Sequence, residues 1–123
     1  MQNKKLIAII YAFLLSAVTT FAQNNTLSIP DAYVAQGSSI ELPVHMDNTS
    51  DVVAVQFTLY VPDGITVKPE TAKLTERADG HSISMKQMDK NKYMALLFSG
   101  ENKPFLGRTG KLLSVDMDAS NEL

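Results

Sequence analysis

Between residues 39 and 61, apolar side chains recur at every second position, and no other feature constrains the fold as tightly. Ile40, Leu42, Val44 and Met46 alternate with Glu41, Pro43 and His45. Val53, Val55, Phe57, Leu59 and Val61 alternate with Ala54, Gln56, Thr58 and Tyr60. In an extended chain residues i and i+2 share a side, so each apolar set is the core-facing row of a half-buried strand. The longer set is rich in β-branched and aromatic residues and reads as an inner strand. Pro43 has no N–H to give to a ladder, so its strand is expected at an edge or with a local irregularity. Clusters of turn formers divide the chain: Gln36-Gly37-Ser38, residues 47–51, Pro62-Asp63-Gly64, Ala78-Asp79-Gly80 and Asp89-Lys90-Asn91. The pattern predicts strands near 26–29, 39–46, 52–61, 65–67, 74–77, 82–86, 93–99 and 111–118. Residues 100–110 predict a loop, with Pro104-Phe105-Leu106 tucking apolar groups under one end of the core. No segment beyond the amino terminus has a 3.6-residue period, and there is no internal repeat. The expected fold is all-β, a two-sheet β-sandwich or barrel.

The amino terminus follows a different logic. Lys4 and Lys5 precede an apolar run of about 13 residues, 6–18. A spanning helix needs ~20 such residues, whereas this length suits the core of a signal peptide. Thr20-Phe21-Ala22 then puts small residues at the two positions that a signal peptidase reads. The competing reading is a buried amino-terminal helix. The order of basic flank, apolar block and small-x-small site favours the signal peptide. Residues 1–22 are therefore expected to be cleaved, leaving 23–123 as one domain that is extracellular or periplasmic. Nothing else in the chain is long and apolar enough to predict a membrane span in the mature protein.

Two lysines leave with that segment, so the mature chain carries 9 basic and 13 acidic side chains, a net charge near −4. Mild acidity argues against nucleic acid or an anionic membrane as partner. With no cysteine there is no disulfide, thiolate metal site, cysteine nucleophile or lipidated cysteine. About 100 residues can still bury a sufficient core, with little to spare.

Catalytic patterns are missing: no Gly-x-Ser-x-Gly, no His-Glu-x-x-His, no phosphate-binding glycine loop. His45 falls opposite its strand's core row and reads as a solvated strand residue. His81 follows a turn and reads as a turn residue that donates a hydrogen bond, with a ligand contact as its sharper alternative. Asp47, Asn48 and Asp51 make an oxygen-rich loop whose spacing fits no strong calcium pattern. Glu70 and Glu76 read as surface charges, although a carboxylate pair invites comparison with glycosidases. Asn24-Asn25-Thr26 and Asn48-Thr49-Ser50 match the glycosylation sequon, a short pattern that says little. No catalytic residue, metal site or cofactor is predicted, and the chain is not expected to be an enzyme.

Several segments, taken in order, resemble a cohesin-like module, the jelly-roll sandwich of the cohesin and carbohydrate-binding superfamily. They are Leu27-Ser28-Ile29 with the Gly37 turn, Ile40-Glu41-Leu42-Pro43-Val44, and residues 53–60 followed by Pro62-Asp63-Gly64. Ala95-Leu96-Leu97-Phe98-Ser99, the 107–110 loop and Leu112-Leu113-Ser114-Val115 resemble the late part of the module. Arg77 and His81 ahead of the late strands resemble the variant found in exported proteins of gut-type Bacteroidetes. The resemblance implies jelly-roll topology and a setting in polysaccharide breakdown or cell-surface assembly. It also implies a further strand after 111–118, beside the first one, so the chain is expected to be truncated at its carboxyl end.

Gln56, Thr58 and Tyr60 project from the long strand away from its core row, with Ser82, Ser84 and Lys86 expected to do so from a neighbour. A face of small polar residues with an isolated tyrosine suits docking of a protein or a glycan. In cohesins the corresponding sheet face receives the dockerin. The candidate partner-binding residues are therefore Gln56, Thr58, Tyr60 and Ser84, with a dockerin-like protein as the expected partner. The alternatives are a module that contacts glycan directly and a structural fragment of a larger secreted protein. Direct glycan binding is less favoured, because Tyr33, Tyr60 and Tyr93 are the mature chain's tyrosines and tryptophan is lacking.

Overall fold

The computed structural model describes residues 3–6, 9–16, 25–30 and 32–121, the first two stretches through their backbone alone. In chain order the strands are β1 (Asn3–Leu6), β2 (Ile9–Ser16), β3 (Thr26–Ser28), β4 (Ala32–Ala35), β5 (Ser39–Asp47) and β6 (Val52–Tyr60). β7 (Ile65–Leu74), a 3-10 turn (Glu76–Ala78), β8 (Ser82–Asp89), β9 (Lys92–Phe98) and β10 (Lys111–Ala119) follow. They form two four-stranded antiparallel sheets, β3-β5-β10-β7 and β2-β6-β9-β8, with β1 and β4 paired apart from both. The expected two-sheet β-sandwich is the fold observed. Among the described residues no helix is long and apolar enough to cross a membrane.

The alternation seen in sequence is what closes the sandwich. Leu42, Val44 and Met46 of β5 are buried, as are Val53, Val55, Phe57 and Leu59 of β6. All of these but Val53 meet Tyr93, Ala95 and Leu97 of β9, Ile65 and Val67 of β7, and Leu113, Val115 and Met117 of β10 in one core, which Val52 joins in its place, at the point where the pairing of β6 with β2 shifts. The pairing of β10 with β5 shifts between Lys111 and Leu113. A bulge of this kind breaks strict alternation, which is how the consecutive Leu112 and Leu113 are both buried.

The Tyr93 hydroxyl joins the sheets. The ring is 1 % exposed, and its oxygen accepts the backbone N–H of Val67, on the other sheet, at 3.1 Å. Tyr93→Phe keeps the ring's packing and leaves that N–H without an acceptor in the core. Its expected cost is ~1–3 kcal/mol. Urea unfolding should show this as a lower midpoint at unchanged slope, and an unchanged midpoint would mean that the bond contributes nothing.

Some predicted elements differ. Segments 65–67 and 74–77 are not two strands: one strand runs from Ile65 to Leu74, and the rest of the second segment lies outside it. Its register with β10 shifts between Ser114 and Asp116, so the mixed residues around Pro69 form an irregularity within the strand and not a break. Residues 76–78 turn as 3-10 helix. β4 was not anticipated, because four residues are too few to establish an alternation. Pro43 does not mark an edge strand by position, since β5 lies between β3 and β10. β3 pairs only with His45, Met46 and Asp47, however, so within its sheet β5 is flanked at Pro43 by β10 alone.

Lys4 and Lys5 fall in β1, and much of the 6–18 block falls in β2, which lies antiparallel on β6. The cleavage triplet Thr20-Phe21-Ala22 lies outside the described residues.

Candidate functional site

Since the odd-numbered residues of β6 from Val53 to Leu59 are buried, Gln56, Thr58 and Tyr60 face outward. The antiparallel register then assembles rows across three strands. Gln56 is level with Leu96 of β9, which is level with Ser84 of β8. Thr58, Met94 and Lys86 form the next row, and Tyr60, Lys92 and Asp89 the one after it. All four residues predicted from sequence thus share one sheet face, with Leu96 between Gln56 and Ser84.

This face is more apolar than its predicted residues imply. Leu96, Phe98 and Met88 are 40 %, 43 % and 53 % exposed. Ser84, Lys86, Met88, Met94 and Leu96 line a shallow depression of about 190 Å³. Gln56 reaches Met94 through a weak Nε2–H···Sδ contact of 3.9 Å. The Lys92 ammonium sits 5.9 Å from the centre of the Tyr60 ring, within cation–π range. The apolar members were legible in principle. Residues 93–98, Tyr-Met-Ala-Leu-Leu-Phe, are apolar at both parities, and a strand with two apolar rows in a two-layer fold must turn one of them outward.

The opposite outer face is covered by its own charges. Lys68 and Asp118 pair at 3.0 Å, and Glu41 lies 3.9 Å from Lys73 and 4.0 Å from Lys111. Asp118 also accepts the Ser39 hydroxyl. That hydrogen bond, together with Lys68, holds the Asp118 carboxyl below the usual aspartate range. Lys68 is raised in turn, by its hydrogen bond to Asp118 and by that charge.

A wider groove of about 570 Å³ is lined by Leu74, Thr75, Glu76, Arg77 and Thr109–Lys111. Its cation is already engaged. Arg77 Nε donates to Leu106 O, Nη1 to the carbonyls of Met46 and Gly110, and Nη2 to Asn48 Oδ1 and Gly107 O. A guanidinium has five N–H donors, so none is left for an anionic ligand. Burial pushes the Arg77 pKa down from its ordinary value, with the charge of Asp47 opposing. The oxygen-rich loop is engaged in the same framework. Asp47 accepts the Thr109 hydroxyl, Asn48 is buried against Arg77, and Asp51 pairs with Arg108 at 3.1 Å. Among the described residues no cluster of three histidine or carboxylate groups is placed to hold a metal.

His81 Nε2 lies 3.0 Å from Val53 O, an oxygen that can only accept, so Nε2 carries the hydrogen. The imidazole stacks on Phe105 at 3.9 Å, and Phe105 is the residue of the 99–110 loop tucked into the core. His45 is half-buried, and Glu70 and Glu76 are exposed. Of the tyrosines considered for glycan stacking, Tyr93 is in the core and Tyr33 is exposed on β4. Tyr60 is the one on the candidate face.

Comparison with protein-family models, curated proteins and solved structures gives no match. The site is therefore read from its own geometry.

Proposed function

We propose that this chain is an exported, non-catalytic binding module of cohesin-like, jelly-roll type, which docks a protein partner on the outer face of β6, β9 and β8. The observation that carries this reading is the contrast between the two outer faces. One is covered by ion pairs among its own side chains. The other exposes Leu96, Phe98 and Met88, with Met94 half-buried beside them, among Gln56, Thr58, Ser84 and Lys86. An apolar centre with a polar rim is the anatomy of a protein interface. A glycan platform is less well supported, because stacking on sugars calls for several coplanar aromatic rings, and this face offers Tyr60 and Phe98. By resemblance, the setting is polysaccharide breakdown or cell-surface assembly.

Leu96→Glu puts a charge at the centre of the face without touching the core. It is expected to weaken partner binding by about 30-fold or more, as loss of a central anchor does, while the melting temperature stays near that of the wild type. Titration of immobilised full chain with a partner purified from the native secretome checks this, with Gln56→Arg/Tyr60→Ala as a second variant. Full retention by both variants, or retardation by soluble polysaccharide gels in place of protein capture, would overturn the reading.

A further inference from the structure

We infer that release of residues 1–22 opens the β6 edge and that a second copy of the chain then pairs with it through its own β6. This rests on the reading of those residues as a cleaved leader. β2 occupies the edge of its sheet and is antiparallel to β6 from Ile9 opposite Tyr60 to Ser16 opposite Val52. β2 lies within the apolar block of that leader, so processing removes the strand that covers β6.

The other edges carry devices that discourage pairing. Proteins blunt edge strands by shortness, charge, proline or bulges. β3 is three residues long. β7 carries Lys68, Pro69, Glu70 and Lys73. β8 carries Lys86 and Asp89 and a register shift between Gln87 and Asp89. β6, Val-Val-Ala-Val-Gln-Phe-Thr-Leu-Tyr, is nine residues long with no charge and no proline, and its register shift against β2 is confined to its amino end, where Leu15 pairs with Ala54 and Ser16 with Val52. A strand in this seat must be apolar at the positions opposite Leu59, Phe57 and Val55, which Ile10, Ala12 and Leu14 occupy.

A second β6 meets the same requirement. In antiparallel pairing about a two-fold axis at Gln56, Val55 faces Phe57 on the core side, and Leu59 faces Val53 at the shifted end of the strand. Ala54 faces Thr58 on the outer side. No like charges meet, and the two Gln56 amides can donate to and accept from each other. Such an interface uses the same patch on both copies, as a closed dimer requires. It would also set the two candidate docking faces side by side on one continuous sheet.

The test uses full-length chain with a specific protease site between Ala22 and Gln23, purified intact and cut after folding. Sedimentation should show a monomer before cutting and a dimer once the 1–22 fragment is removed. An excess of synthetic peptide 6–18 should return the dimer to monomer, and Ala54→Lys should weaken dimerisation at least about tenfold. A cut chain that stays monomeric or unfolds, or a dimer indifferent to Ala54→Lys, overturns the proposal. In the uncut chain, which has no native cysteine, Tyr11→Cys with Thr58→Cys should close a disulfide, and failure to do so overturns the β2 seat. The leader reading is judged separately: Met1 retained in the naturally exported protein refutes it and leaves the outcome of the in vitro cut unaffected.

Discussion

Arg77→Ala is expected to destabilise the fold by about 3–5 kcal/mol, and Arg77→Lys to recover little of that loss. Each hydrogen bond to a charged group contributes ~1.5–3 kcal/mol net. Arg77 makes such bonds to five oxygens, four of them backbone carbonyls. The site is half-buried, so water would satisfy part of what the truncation leaves open, and the sum falls well short of five full contributions. Lysine presents three donors on one nitrogen and cannot replace three separate nitrogens, of which Nε serves Leu106 O, Nη1 the carbonyls of Met46 and Gly110, and Nη2 Asn48 Oδ1 and Gly107 O. The bonds around Arg77 also fasten the 99–110 loop to the sandwich. Leu106 N–H donates to Arg77 O at 2.8 Å, Asn48 N–H to Arg108 O at 2.8 Å and Met46 N–H to Gly110 O at 3.0 Å. Both variants should therefore expose the loop to limited proteolysis and accelerate hydrogen exchange at these amides. A lysine variant within about 1 kcal/mol of wild type in urea unfolding would show that charge alone suffices.

This role was not legible in the sequence. The 3-10 turn that carries Arg77 begins two residues after β7 ends, where the pattern predicts a strand. Its acceptors come from Met46 of β5, from Asn48 just after that strand and from residues 106–110, which only the folded topology brings together. The strands of the core were legible because burial on one side of a sheet repeats every second residue, and β5 and β6 show that repeat. The bulges of β10 and β7 were not, since a bulge is a property of two paired strands, and one strand's composition does not record it. On the candidate face the polar members Gln56, Thr58, Tyr60 and Ser84 followed from parity. Leu96 and Phe98 escaped because apolar residues in a strand default to the core, and only the layer count shows which parity must face out.

Phe57→Ala should cost ~3–5 kcal/mol, while Thr58→Ala should stay within about 1 kcal/mol of wild type. The two residues are adjacent on β6, and their side chains leave opposite faces of the sheet. Phe57 is 1 % exposed within the central core, whereas Thr58 is half-buried on the outer face. The register gives Phe57 a small neighbour on β9, Ala95, and in the uncut chain a second on β2, Ala12. Large beside small lets facing layers interdigitate, and here it also means that no register neighbour can expand into the space an alanine would leave. The cost of a truncation grows with the cavity that remains, at ~24 cal/mol per Å³, so this site belongs toward the upper end of its range. Thr58→Ala removes a hydroxyl and a methyl from an outward row and opens no cavity. The contrast is a direct reading of register, because a slip of one residue would exchange the two faces. Chemical denaturation of both variants, with unchanged slopes confirming the same two-state transition, measures it. Equal losses would mean that β6 does not present Val55, Phe57 and Leu59 to the core, and the row of Gln56, Leu96 and Ser84 would no longer lie on one outer face.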